Sequence, residues 1–132
     1  MEYIIDFEGD RNDFLELVKN NKGVLFFKFG ADWCKPCQNI KGLVEENFHA
    51  VSSEFVNCYN VDIDECFDIF AYLKTKKMVK GIPTIFVYSK KSTNEIIREN
   101  GKDCLNIVIP HDSVSGGNIP DIEAFFARCK NI

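Results

Sequence analysis

Trp33-Cys34-Lys35-Pro36-Cys37 sets two cysteines two residues apart, the spacing of a dithiol that can cycle between paired thiols and a disulfide. Upstream, Val24-Leu25-Phe26-Phe27-Lys28-Phe29 reads as a buried strand and Gly30-Ala31-Asp32 as its exit. Downstream, Ile40, Leu43, Val44 and Phe48 recur as the apolar face of a helix. Cys34 is therefore expected at a helix N-terminus, where unpaired N–H groups and the positive end of the macrodipole favour thiolate over thiol. That makes Cys34 the nucleophile. Cys37 lies one turn further in on the same face and can attack a mixed disulfide formed at Cys34. Pro36 suits a first helical turn, which needs no N–H from it.

Two plainer readings of the motif fail on the rest of the sequence. A structural zinc site needs four ligands, yet there is no second C-x-x-C, and His49 and His111 stand in no paired spacing. No metal is expected. The remaining cysteines, Cys58, Cys66, Cys104 and Cys129, are scattered singly through separate elements. Cys66 shares helical spacing with Ile69, Phe70 and Leu73, as Cys129 does with Ile122, Phe125 and Phe126, so both read as small core residues. Cys58 falls inside an apolar strand. Cys104 follows a turn-like stretch and is either an exposed site for glutathionylation or a dimer disulfide, or a strand residue without a role.

A second signal is Gly81-Ile82-Pro83-Thr84, followed by the apolar run Ile85-Phe86-Val87-Tyr88. With the motif at 33–37 and the segment Val61-Asp62-Ile63-Asp64, the chain resembles the thioredoxin family in order and spacing over about residues 1–90, and over 119–132 as a last helix. The resemblance implies an α/β thioredoxin fold: a central mixed β-sheet of four to five strands flanked by about four helices, in one domain over residues 1–132. It also implies that Pro83 is cis and faces the dithiol, and that Ile82 offers its backbone for strand-like pairing with a substrate. The implied activity is that of a protein disulfide reductase. Cys34 attacks and Cys37 resolves; Trp33, Pro36, Ile82 and Pro83 form the docking surface; Lys28 and Lys35 tune proton and charge balance. No bound cofactor is implied. The partners are disulfide-containing proteins and an electron donor of the thioredoxin-reductase kind, with the chain acting as a monomer. A glutaredoxin matches less well at Trp33 and at Ile82-Pro83-Thr84.

The family's buried carboxylate on the strand before the motif is replaced here by Lys28. A desolvated lysine can sit neutral and act as a base, or it can snorkel and stay charged, stabilising a nearby thiolate without taking a proton. Both remain open at this level. Lys35 stands where the family usually has glycine. A cation there stabilises the Cys34 thiolate and makes the dithiol more oxidising, unless solvent screens it. Gly30 stands where the family often has tryptophan, and flattens the surface before the motif. Two rival functions follow: a disulfide oxidase or isomerase poised at a more positive potential, and a binding or redox-sensing module, which Lys28 and extra residues at 92–103 keep in play.

The elements that must position these groups are a strand near 3–5, a helix near 11–20 capped by Asp10, the strand 24–29 and the motif helix 34–48. A strand near 55–61, a helix near 65–74 and a strand at 84–88 complete the alternation, which implies a parallel sheet covered on both faces. Leu105-Asn106-Ile107-Val108-Ile109 is the candidate last strand, reached without a helix and therefore antiparallel. The loop 110–117 leads to a final helix opened by Pro120. The resemblance sets that loop beside the dithiol, with His111 read as one of its solvated residues.

At 132 residues, with 45% apolar and 27% charged composition, the chain makes one globular domain with a proper core. A net charge of −4, with signs interspersed, leaves no basic stripe for nucleic acid and no footprint for a membrane. The longest apolar runs are strand-sized and the N-terminus carries no basic, apolar leader, so neither a transmembrane helix nor a secretory signal is expected. The expected setting is cytoplasmic, since a domain of this size needs no disulfide staples.

Overall fold

The computed structural model describes residues 3–101 and 105–132. Strand β1 (Ile4–Asp6) leads to helix α1 (Arg11–Lys19), where the Asp10 side chain accepts from the backbone of Asn12 and Asp13 while Asp13 reaches back to Asp10 N. Two of the helix's orphan donors are satisfied this way. Strand β2 (Val24–Gly30), helix α2 (Lys35–Val51), strand β3 (Val56–Asp62), helix α3 (Phe67–Thr75) and strand β4 (Thr84–Ser89) follow the expected order. Then come α4 (Lys90–Asn100), a 3-10 turn (Leu105–Val108), β5 (Asp112–Ser115) and α5 (Ile119–Cys129).

The sheet runs β1-β3-β2-β4-β5, with β1, β3 and β2 parallel and β4 antiparallel to β2. β5 is antiparallel to β4. Alternation along β2 sends Phe27 and Phe29 to a core shared with Phe14 and Val18 of α1 and with Ile69 and Leu73 of α3. Phe26 goes to the other face, against Ile40, Val44 and Phe48 of α2 and Phe125 and Phe126 of α5. Lys28 has the parity of Phe26. It is the one charged residue of β2 and is half-buried.

Three expectations need correction beyond residue 83. The mixed character of the sheet begins one strand earlier than the helix–strand alternation implied, at β4. The extra residues from Ser92 onward are largely helical: Ser89 caps α4 through its hydroxyl, and Thr93 is buried with Ile96 and Ile97 packed against the core. A narrow apolar face on a polar helix is a weak periodic signal, which is why it reads as a loop, and α4 raises the helix number from about four to five among the described residues.

The apolar run at 105–109 holds a 3-10 turn (Leu105–Val108) rather than the last strand, because Ile107 and Val108 plug into the core and Pro110 follows. β5 is instead the polar Asp112–Ser115, an edge strand inside the expected loop 110–117. α4 and the 3-10 turn connect β4 to β5, so an antiparallel pair is joined through a helix. Cys104 lies outside the described residues. Cys58, Cys66 and Cys129 are buried free thiols, as their spacing implied.

Candidate active site

β2 ends at Gly30, and the chain turns so that Cys34 N donates to Ala31 O at 3.2 Å. Cys34 is the N-cap of α2, with extended backbone, and its sulfur accepts from Cys37 N at 3.2 Å. Pro36 lies in the first turn, where its missing donor costs nothing. Cys34 and Cys37 form a disulfide with Cα atoms 5.2 Å apart. A sulfur that takes the N–H of the third helical residue occupies the position where a capping oxygen would sit, so the same donor is ready for a thiolate when the bond opens.

Trp33 stands out from the surface, 68% exposed, and its indole Nε1 donates to Asp64 Oδ2 at 2.9 Å. Asp64 is itself fixed by its N–H, which donates to Asp62 Oδ1 at 2.8 Å. The Ile82–Pro83 bond is cis. Thr84 pairs with Phe29, which sets Pro83 beside the end of β2 where the motif begins. Pro83 O accepts from Gly116 N at 2.8 Å, and a Cβ on Gly117 would come within 3.0 Å of Pro36 Cβ. The turn after β5 therefore clasps the cis-proline and the motif together. Among the described residues the backbone N–H and C=O of Ile82 take no hydrogen bond, leaving them open to an added strand.

Lys28 faces a cleft of about 520 Å³ whose walls also include Gly30, Cys37, Lys41, Glu45 and Asn60. Burial pushes the Lys28 ammonium below its ordinary range. Glu45 opposes that shift and Lys41 adds to it. Lys35 is exposed on the outer side of the first turn, where water screens its charge. The structure thus brings Trp33, Cys34, Pro36, Cys37, Ile82 and Pro83 to one end of the sheet, with Lys28 behind Cys37. His111 is excluded from that group. Its N–H donates to Val87 O and its Nδ1 meets Ser89 Oγ at 2.9 Å, at the opposite end of β4.

Sequence reasoning missed Asp64 and Gly117. It also missed Lys41 and Glu45, whose i, i+4 spacing one and two turns past the motif on a polar face was a usable signal.

A family model described as Thioredoxin matches residues 7–109. Rabbit (Oryctolagus cuniculus) thioredoxin is 41% identical over 64 residues, 47% of this chain and 53% of the relative. Thioredoxin 3 of Plasmodium falciparum is 26% identical over 120 residues, 91% of this chain and 54% of the relative. The chain spans about half the length of the curated relatives it matches. Among solved structures, Trichomonas vaginalis thioredoxin superposes with a TM-score of 0.67 at 22% identity, covering 98% of this chain and 99% of that one. Fasciola hepatica thioredoxin gives 0.62 at 22% identity, covering 96% and 98%. At such identities these structures speak for the fold.

Proposed function

The chain belongs to the thioredoxin family, and on that premise we propose that it is a thiol–disulfide oxidoreductase that reduces protein disulfides through Cys34 and Cys37. The observation that carries this reading is the Cys34–Cys37 disulfide at the mouth of α2, with Cys34 Sγ accepting from the helix's own N–H. The reduced Cys34 thiolate attacks one sulfur of a substrate disulfide and expels the other as a thiolate. Cys37 then loses its proton and attacks Cys34 Sγ, which releases the second substrate sulfur and restores the internal disulfide. Two electrons pass to the substrate.

Trp33, Pro36, Ile82 and Pro83 form the docking face in this reading, with the free backbone of Ile82 taking a substrate strand. Lys28 receives the proton of Cys37. Burial lowers its pKa from the ordinary lysine value, against the opposing pull of Glu45, which makes the amine a readier proton exchanger than an exposed lysine. Lys35 contributes a screened charge beside Cys34. A reductase dithiol regenerates the pair, so the protein serves electron transport in cell redox homeostasis. The free thiols of Cys58, Cys66 and Cys129 fit a reducing, cytoplasmic setting. No helix among the described residues is long and apolar enough to cross a membrane. The chain acts on its substrates as a monomer.

Insulin reduction with dithiothreitol or a thioredoxin reductase as electron source tests the reading. The wild type turns insulin over, Cys34→Ser does not, and Cys37→Ser accumulates mixed disulfides with protein substrates. Wild-type turnover no better than that of Cys34→Ser would favour a binding or sensing module instead.

A further inference from the structure

The segment that joins α3 to the cis-proline is charged in one sign. Lys74, Lys76, Lys77 and Lys80 fall within seven residues, all exposed, and no Asp or Glu occurs between Asp68 and Glu95. The whole chain has a net charge of −4, so this is a local basic patch on an acidic protein. Among the described residues none of the four lysines forms an ion pair. Lys74 Nζ stands 5.8 Å from the centre of the Phe70 ring, and Lys76 Nζ 5.8 Å from that of Tyr72. Two of the ammonium groups are thus propped on rings rather than on carboxylates. Cations at the end of α3 complement its macrodipole, which accounts for Lys74 and Lys76. Lys77 and Lys80 need another reason. Lys77 has a φ of 60°, a left-handed conformation that glycine takes readily and lysine does not. Lys80 stands beyond the helix, two residues before Ile82 with its free backbone groups. The approach between them is fixed and open: Gly81 O accepts from Thr84 Oγ1 at 2.7 Å, and a Cβ on Gly81 would meet nothing within 4 Å.

We propose that Lys74, Lys76, Lys77 and Lys80 select the substrate: the strand that pairs with Ile82 belongs to an acidic polypeptide, with several Asp or Glu within about five residues of its reactive cysteine. The proposal rests on the reading of the chain as a protein disulfide reductase and names the substrate class of that site. The reach follows from the chain itself, since Lys77 is five residues from Ile82 and five residues span at most about 17 Å. Carboxylates on the incoming strand speed its encounter with the patch, and a basic strand is turned away. Asp32, Asp64 and Glu65 are exposed on the Trp33 side of the motif. An acidic strand is therefore oriented as well as attracted, with its carboxylates toward 74–80.

The test uses the reduced full chain and three disulfide-linked peptides of one length, with Glu, Gln or Lys at the same positions beside the cysteine. Stopped-flow Trp33 fluorescence gives each rate, divided by that of the same peptide with dithiothreitol to remove the peptide's own reactivity. The Glu peptide should outpace the Lys peptide by on the order of tenfold at low ionic strength, with the gap closing in high salt. Lys77→Gln with Lys80→Gln should bring the Glu peptide down to the Gln peptide. Lys90→Gln with Lys91→Gln makes the same change of net charge at the far end of β4 and should keep the full spread. Lys77→Gly should narrow the spread while holding or raising the urea midpoint, whereas a lysine present only for stability would lower the midpoint and leave the spread. Equal rates for the three peptides, or a spread lost through Lys90 and Lys91 instead, overturn the proposal. Equal rates together with Lys77- and Lys80-dependent binding to phosphatidylserine vesicles would give the patch to a lipid surface, which also overturns it. Fluorescence anisotropy of single-chain peptides with Ser for Cys judges the patch apart from the chemistry. Insulin reduction with no Glu preference in rate or affinity refutes the substrate class alone; a Glu preference in affinity with no disulfide reduced refutes only the reductase reading.

Discussion

Trp33 and Asp64 are joined by a single hydrogen bond, Nε1 to Oδ2 at 2.9 Å, that holds a 68% exposed indole in one place beside the dithiol. Docking on an anchored aromatic loses less rotamer freedom than docking on a mobile one. Asp64→Ala should raise KM for insulin about fivefold, the equivalent of roughly 1 kcal/mol, with kcat little changed. Time-resolved anisotropy of Trp33 should show faster local motion in the variant.

Lys28→Met separates the two roles open to a lysine behind Cys37. With Lys28 as proton acceptor, the variant slows resolution of the mixed disulfide and leaves the first attack by Cys34 unchanged. Stopped-flow Trp33 fluorescence across pH reads both steps. A slowed first attack with normal resolution would assign Lys28 to charge stabilisation of the thiolate instead.

Burial pushes the thiols of Cys58 and Cys129 up from 9.0 to about 12. Below pH 9 the thiol is neutral in both the folded and the unfolded chain, and the stabilisation is fully present. Between pH 9 and 12 the unfolded chain releases these protons while the folded one retains them, so stability falls as pH rises, by up to about 1.4 kcal/mol per pH unit per thiol. Tyr88, fully buried and raised in the same direction, adds to the loss above pH 10. Urea unfolding from pH 8 upward should show this decline, and Cys58→Ala should flatten its slope whatever it does to absolute stability.

Tyr88 Oη donates to Val108 O at 2.6 Å and pins the 3-10 turn to β4. Tyr88→Phe leaves that carbonyl unpaired in the core and should cost about 1–3 kcal/mol in urea unfolding. The rate of insulin reduction under folding conditions should stay at the wild-type level, because the bond lies away from the dithiol end of β4.

The motif and the cis-proline turn were legible because their chemistry is local. A C-x-x-C between a strand and a helix, and an Ile-Pro before a strand, need no distant residue to be read. Burial of Cys66 and Cys129 was legible for the same reason, through helical spacing. The Leu105–Ile109 run deceived because a short apolar run reports burial and not conformation; Ile107 and Val108 are buried, in a turn. β5 escaped notice since an edge strand of four residues, Asp112–Ser115, needs little apolar character. Asp64 acts across space on Trp33, and no spacing rule within one element carries that information; the i, i+4 spacing of Lys41 and Glu45 marks a polar helix face but not the Lys28 it meets.

β4 begins at Thr84, next to Pro83, and ends at the start of α4, the two separated by roughly 16 Å of strand. α4 and the 3-10 turn hang from the far end. Lengthening a connection there costs little, since loop-closure entropy grows only with the logarithm of its length. β4 therefore acts as a spacer, holding the start of α4 one strand length away from the cis-proline.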